Sequence, residues 1–235
     1  MPNEVRLLFH GRGKAFQGLE QLTIDWLDGR ILISIFKEVD EDFLSVLKQH
    51  ITAWLQMDAW QAQVKSVLLQ YRFKMNSPIE VVFGELTDQQ NVIENGLKFQ
   101  LNLGQKQNNG LFLDMRYGRK WVLENSKNKR VLNLFAYTCG FSVSAIAGDA
   151  QSVVNLDMAK AALSKGRVNH QLNEHDLRKV RFLGYDLFKS WGKVKKFGPY
   201  DLIIIDPPEF IDSDSEASLK SLLFVLDGKS ERSLI

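Results

Sequence analysis

The stretch Gly198 to Phe210, GPYDLIIIDPPEF, decides the fold. Its apolar run, Leu202 to Ile205, has the content of a strand buried on both faces, as in a parallel sheet. It stops at Asp206-Pro207-Pro208-Glu209-Phe210, a rigid polar corner that cannot continue a ladder. Working backwards, strand-like and helix-like stretches alternate from about Trp121: VLNLFAY then FSVSAIAGDA, SVVNLDM then AKAALSKGRVNHQL, VRFLGYD then LFKSWGKVKK, and last DLIIID. That alternation predicts right-handed βαβ units forming a parallel sheet with helices on both faces.

Upstream the pattern is that of a smaller α+β unit. LTIDW and ILISIF flank a turn at Asp28-Gly29, and NVIENGLKFQLNL turns at Asn95-Gly96, both strong two-residue hairpin signals. Asp40 to Met57 places Phe43, Leu44, Leu47, Ile51, Trp54 and Leu55 at helical spacing behind an acidic start. SVLLQYRF and IEVVFGEL read as further strands, broken by Asn76-Ser77-Pro78. The polar, glycine-bounded GQKQNNG then divides the chain into an N-terminal α+β domain over 1–104 and an α/β domain over 105–235.

Composition narrows the setting. The 235 residues are 45% hydrophobic and 25% charged, with a formal charge of +2 that argues for neither nucleic acid nor membrane by itself. No run approaches the ~20 apolar residues of a bilayer span, no signal-peptide pattern opens the chain, and a cytoplasmic location is expected. Cys139 is the only cysteine, which excludes an internal disulfide and a cysteine metal cluster.

In an open parallel sheet, ligands collect at the carboxyl ends of the strands. Tyr137-Thr138-Cys139-Gly140 follows the first strand; Gly140 is expected to permit a tight turn, with free amides at the next helix start facing an anionic group. Asp157 follows the second strand, placed to accept both hydroxyls of a ribose, Asp186 follows the third and Asp206 the fourth. Singly, each acid also reads as a helix N-cap. The loop has one glycine where pyrophosphate cofactors usually have three, so an unphosphorylated nucleoside such as S-adenosylmethionine fits better than a nicotinamide dinucleotide. Methyl transfer to nitrogen needs an aimed lone pair and a dry polar cleft more than a strong base. Asp206 and the Pro207 carbonyl can accept hydrogen bonds from an amino group, the prolines hold them in place, and Phe210 offers a face for a flipped-out base.

VLNLFAYTCGFSVSA, VVNLDM, GYDLFKSW and YDLIIIDPPEF together resemble motifs one to four of class I S-adenosylmethionine-dependent methyltransferases, and within them the large-subunit ribosomal RNA methyltransferase group. ENGLKFQLNLGQKQNNGLFLDMRYGRKWV is similar to that group's entry segment, and RLLFHGRG and GLEQLTIDW to the N-terminal region of an uncharacterised subgroup. The resemblance implies a Rossmann-like sheet with Asn133, Phe135, Tyr137, Thr138 and Gly140 lining the methionine end of the cofactor. It implies Asp157 on the ribose, Met158 against the adenine, and Asp186 and Leu187 at the adenine edge. Phe112, Leu113, Asp114 and Arg116 would close the pocket, and Asp206, Pro207, Pro208 and Phe210 would position the acceptor. The implied partner is RNA of the large ribosomal subunit, met by the N-terminal domain; KSWGKVKK adds Lys189, Lys193, Lys195 and Lys196 beside Trp191, which also reads as a solvated helix face.

Two departures accompany the likeness. Cys139 stands where relatives often have glycine, and with no cysteine near Asp206 it reads as a small packed thiol, which disfavours carbon methylation. The family carries seven strands, whereas 25 residues follow Phe210, so the sheet is expected to stop after the fourth strand. DLIIID would then be an edge, covered by SLLFVLD or by a second subunit in a homodimer. The alternative to an active enzyme is a shortened relative that binds cofactor or RNA without turnover.

Overall fold

The computed structural model describes residues 2–104 and 108–207, and the chain divides into two compact units, Met1–Asp114 and Met115–Ile235. In the first unit, β1 (Arg6–His10), β2 (Leu22–Leu27), β3 (Arg30–Ile35), β4 (Ser66–Tyr71) and β5 (Ile79–Gly84) form one sheet in chain order. Asp28 and Gly29, both at positive φ, close the β2–β3 hairpin. That backbone matches the twist of paired strands, which is why Asp-Gly is favoured there. β3 and β4 run parallel, so the chain crosses over through α1 (Glu41–Leu55) and the short α2 (Asp58–Gln61). The Asp40 carboxylate caps α1 by accepting the Phe43 amide at 2.7 Å. Leu47 and Ile51 are buried on the sheet beside Ile31, Ile33, Val67 and Leu69, with Phe43, Leu44, Trp54 and Leu55 packed around them. A second hairpin, β6 (Gln89–Glu94) and β7 (Leu97–Asn102), turns at Asn95-Gly96 with both residues again at positive φ.

The second unit holds the parallel sheet. Its strands β8 (Arg130–Leu134), β9 (Ser152–Leu156), β10 (Val180–Leu183) and β11 (Leu202–Ile205) lie in the spatial order β10-β9-β8-β11. Strand order reverses at β8, because the chain steps outward to β9 and β10 and then returns to β8's other side as β11. α3 (Arg116–Asn125), α4 (Gly140–Ala147) and α5 (Lys160–Leu172) precede β8, β9 and β10 in turn, and the short α6 (Trp191–Lys195) precedes β11. Val131, Val153, Leu202 and Ile204 pack against Phe141, Ala145 and Ile146 of α4 and Val122 of α3. Leu132, Leu134, Val154, Leu156 and Ile203 point the other way, against Leu187, Val194 and Tyr200. Leu202, Ile203 and Ile204 are therefore covered from both faces, each burial contributing about 1.5–3 kcal/mol. Among the described residues β11 pairs with β8 alone. SLLFVLD, the expected cover of that edge, lies outside the described residues.

One element differs from the sequence expectation, and another was not anticipated. The stretch LFKSWGKVKK is helical only over α6, since Leu187 to Lys189 form a turn under the Asp186 carboxylate. The segment around Trp121 is α3, whose apolar side is narrow; Val122 and the buried Arg119 are the residues it turns inward.

A chain of polar side chains crosses the core of this unit. Asn133 Nδ2 donates to Asn155 Oδ1 at 2.9 Å, and Asn155 Nδ2 donates both to Ser142 Oγ at 2.9 Å and to the Arg181 carbonyl at 3.3 Å. Ser142 Oγ lies 2.9 Å from His170 Nε2, and His170 Nδ1 lies 3.0 Å from His175 Nδ1. A main-chain carbonyl only accepts, so Arg181 fixes the Asn155 amide, and every later bond inherits a direction. Ser142 accepts from Asn155 and, having no other acceptor for its hydroxyl among the described residues, donates to His170 Nε2; His170 then carries its proton on Nδ1 and donates to His175. Burial, with His175 and Arg167 nearby, depresses the His170 pKa to about 3, so the ring stays neutral as the chain requires.

Packing of α5 on the loop after β8 depends on Gly166, where an added Cβ would overlap Cys139 Sγ and Cβ. Gly166→Ala is expected to destabilise the protein by roughly 1–3 kcal/mol in urea unfolding, and Cys139→Ala in the same chain to restore part of that loss. The His170 shift sets a second outcome. Its folded pKa lies below the unfolded 6.5, so its contribution is complete above pH 6.5 and is lost as the pH falls toward about 3. His170→Gln should lower stability at pH 8 by about 1–2 kcal/mol and lose less stability than the native chain between pH 6.5 and 4.

Candidate functional site

The strand register brings three of the four strand-end positions of interest to one rung. Leu134 lies opposite Leu156 on one side and Ile205 on the other, and Leu183 lies opposite Leu156. One residue further along each strand places Phe135 between Asp157 and Asp206, with Gly184 beyond Asp157. Asp186 follows two residues after Gly184 on the same carboxyl rim. The point where strand order reverses falls between Phe135 and Asp206, which is where open α/β sheets open a crevice.

The loop from β8 to α4 has an unusual backbone. Phe135, Tyr137 and Cys139 all adopt left-handed φ, at 55°, 46° and 62°. Such conformations cost on the order of 1–3 kcal/mol each for residues bearing a Cβ, and they persist where the surroundings hold them. Four bonds do so here. The Ala136 amide donates to the Leu156 carbonyl at 3.0 Å, and the Cys139 amide to Ala136 at 2.7 Å. The Tyr137 amide donates to Asp157 Oδ2 at 2.8 Å. Asn169 Nδ2 of α5 donates to the Thr138 carbonyl at 3.0 Å. Gly140, expected to make the tight turn, instead opens α4 outside the left-handed region; the three side-chain-bearing residues before it make the turn.

Asp157 spends one lone pair of each oxygen on the protein, because Oδ1 also accepts the Ala159 amide at 2.7 Å. An ionised carboxylate has about four acceptor positions, so each oxygen keeps one for a hydroxyl at the rim. Asp186 Oδ1 accepts the Phe188 amide at 2.9 Å, and Lys189 Nζ lies 3.7 Å from Oδ2. Met158 beside Asp157 is 70% exposed, an apolar side chain on an open rim. Asn133 stands two residues below Phe135; its Oδ1 is buried and meets no hydrogen-bond donor among the described residues. These groups suit a zwitterionic nucleoside: paired acceptors for a diol, an apolar contact for a flat ring, and α4, whose N-cap Cys139 supplies no side-chain bond, presenting its positive end to a carboxylate.

Other expected residues are placed differently. The Leu187 side chain is 3% exposed and belongs to the core with Leu156 and Tyr200. Thr138 is likewise 2% exposed. Phe112, Leu113 and Asp114 fall in the first unit and Arg116 in the second. Pro207 follows Asp206 as exposed coil, while Pro208 and Phe210 lie outside the described residues. Cys139 is fully buried against Gly166 and Asp157 adds negative charge, both pushing its thiol pKa up; it is a packing residue. Ser142, Asn155, Asn169 and His170 are the residues that sequence reasoning missed. Each is a polar side chain on an element otherwise apolar in that face, which is the one signal they carry.

"Ribosomal RNA large subunit methyltransferase I" of Aeromonas salmonicida (strain A449) is 37% identical over 138 residues, which cover 58% of this chain and 35% of that relative. A putative SAM-dependent methyltransferase from Streptococcus mutans superposes with a TM-score of 0.79 at 26% identity, covering 94% of this chain and 58% of its own. A putative methyltransferase solved in complex with SAH gives a TM-score of 0.76 at 26% identity, over 90% of this chain and 53% of the other. The chain thus spans little more than half of these structures, and about a third of the curated relative. The family model for S-adenosylmethionine-dependent methyltransferases matches residues 6–224, nearly the whole length: the chain belongs to the S-adenosylmethionine-dependent methyltransferase family.

Proposed function

We propose that the chain works as an S-adenosylmethionine-dependent methyltransferase acting on a base nitrogen of large-subunit ribosomal RNA. The observation that carries this reading is the rung at which Asp157 and Asp206 flank the left-handed loop after β8. Its RNA part is supported by the name of the Aeromonas salmonicida relative. A cytoplasmic setting belongs to the same reading; among the described residues no helix is long and apolar enough to cross a membrane.

Bound at the rim, the cofactor would supply an electrophilic methyl group on a positive sulfur. Asp157 would accept the ribose hydroxyls with Met158 against the adenine, and Asp186 with the main chain of Leu187 would meet the adenine edge. Asn133, Phe135, Tyr137, Thr138 and Gly140 would line the methionine end, and Phe112, Leu113, Asp114 and Arg116 would close over it. The Asp206 carboxylate and Pro207 carbonyl would accept hydrogen bonds from an amino group and aim its lone pair, with Pro208 fixing the backbone and Phe210 stacking the base. Orientation of this kind supplies most of what such a transfer needs. A second copy of the chain is the proposed cover for the side of β11 away from β8.

Titration calorimetry should detect S-adenosylmethionine binding, and Asp157→Ala should weaken it about tenfold to hundredfold, the value of a charge-assisted hydrogen-bond pair. No heat at millimolar cofactor would remove the reading. Asp206→Ala should retain cofactor affinity while transfer of labelled methyl to total RNA drops by about a hundredfold. Cofactor binding by the native chain with no transfer would favour the silent-relative alternative.

A further inference from the structure

One end of the first unit's sheet concentrates cations on aromatic rings. β1, β3 and β4 all end there, so the segments 10–21, 36–38 and 72–78 gather at a single rim. The Phe36 amide bonds the Gln21 carbonyl at 2.8 Å and the Arg72 amide bonds Ile35 at 2.8 Å, tying the three segments together. Phe36 carries two guanidinium groups, with Arg12 Cζ 4.4 Å and Arg72 Cζ 4.9 Å from the ring centre. Lys74 Nζ lies 4.8 Å from the Tyr71 ring and 5.7 Å from Phe73. Arg72 is further oriented by donating to Asn108 Oδ1 at 2.9 Å. Arg12 and Lys74 are exposed, and Phe16, which packs on Phe9, is 50% exposed.

The charge is uneven as well. These segments hold five cations, Arg12, Lys14, Lys37, Arg72 and Lys74, against two acids, Glu20 and Glu38, in a chain whose total is only +2. Main-chain amides at Glu20 and Gly18 keep the Glu20 carboxyl below its usual range, so it stays an anion beside Lys37 and Lys14. On the other flank, Glu80 is engaged by Lys48 and the Tyr71 hydroxyl, each at 2.6 Å, and it also feels the charge of Lys74, whose ammonium lies over the Tyr71 and Phe73 rings.

We propose that this rim is a docking site for single-stranded RNA, an inference that rests on the methyltransferase reading for its biological use but not for its test. Phosphates meet Arg12, Lys14, Lys37 and Lys74, while unpaired bases stack on Phe16. Paired bases have no exposed face to offer, so a duplex fits the rim less well. Rings beneath the cations hold them extended from the surface, which separates this arrangement from a scatter of solvated lysines. An acidic protein surface would use the charge but leave Phe16 without a role.

The test is fluorescence anisotropy of the full chain with a labelled mixed-sequence single-stranded RNA, titrated over a range of salt. Arg12→Ala with Lys74→Ala should weaken binding about tenfold or more and flatten the log K against log salt slope by roughly 1.4, about 0.7 per lost phosphate contact. Phe16→Ala should weaken binding several-fold without changing that slope. Lys65→Ala, at the opposite end of the same sheet, should leave both unchanged. The rim is overturned if the native chain binds no RNA, if duplex RNA competes equally, or if Lys65→Ala matches the double variant. Calorimetry with S-adenosylmethionine on the double variant separates the two readings: retained cofactor binding reports an intact fold, and its absence in the native chain defeats the enzyme reading while leaving the RNA result to stand alone.

Discussion

The backbone between Leu134 and Gly140 is the constraint on which the second unit turns. Three residues with side chains hold left-handed φ in a five-residue span, a combination that the isolated segment would avoid. What holds it comes from β9 and α5. Asp157 takes the Tyr137 amide, Leu156 takes the Ala136 amide, Asn169 reaches the Thr138 carbonyl, and Gly166 leaves room for Cys139. The loop is thus shaped by tertiary contacts, and the same contacts fix where α4 begins. A flexible glycine loop would have to be ordered on binding a ligand; this one has met that cost during folding.

The polar chain beneath the loop extends the same logic into the core. A buried network stabilises a single arrangement only if every member has a partner, and the direction imposed by the Arg181 carbonyl leaves one consistent assignment from Asn133 to His175. Reversing either histidine would set two N–H groups, or two lone pairs, against each other. The network therefore specifies the register of β8 against β9 and the rotation of α4 and α5 in a way that apolar packing alone does not. Its inner terminus, Asn133 Oδ1, lies two residues below the left-handed turn.

Much of this was legible from local signals. Asp28-Gly29 and Asn95-Gly96 turn as read, because positive φ at two successive positions is a property of those dipeptides. The apolar run Leu202 to Ile205 announces a strand covered on both faces, and an Asp after each of β9, β10 and β11 marks the rim. What stayed hidden depends on distant partners. β1 is a short edge strand of alternating burial whose three consecutive apolar residues, Leu7, Leu8 and Phe9, show no period of two, and only its pairing with β2 defines it. Phe135, Tyr137 and Cys139 have no intrinsic taste for left-handed φ. Ser142 and His170 are 28 residues apart, and nothing in either neighbourhood says that they meet.

Asp157 shows why two competing readings of such acids need not compete. Alone in the sequence it reads either as a helix N-cap or as a ligand for a diol; α5 has Ala159 as its N-cap, with no side-chain cap bond, and Asp157 instead bonds the loop amides of Tyr137 and Ala159. Those two bonds take one lone pair from each oxygen and set the plane of the carboxylate. The remaining lone pairs are then aimed in fixed directions, and a pair of adjacent hydroxyls would meet two acceptors already oriented. Asp186 is held by one amide through Oδ1 alone, with a lysine near its other oxygen, and so is less fully oriented. Accepting nearby main-chain amides is in this sense the means by which a strand-end carboxylate becomes a rigid acceptor, and the number of such bonds, two at Asp157 against one at Asp186, ranks how tightly each would define the ligand it meets.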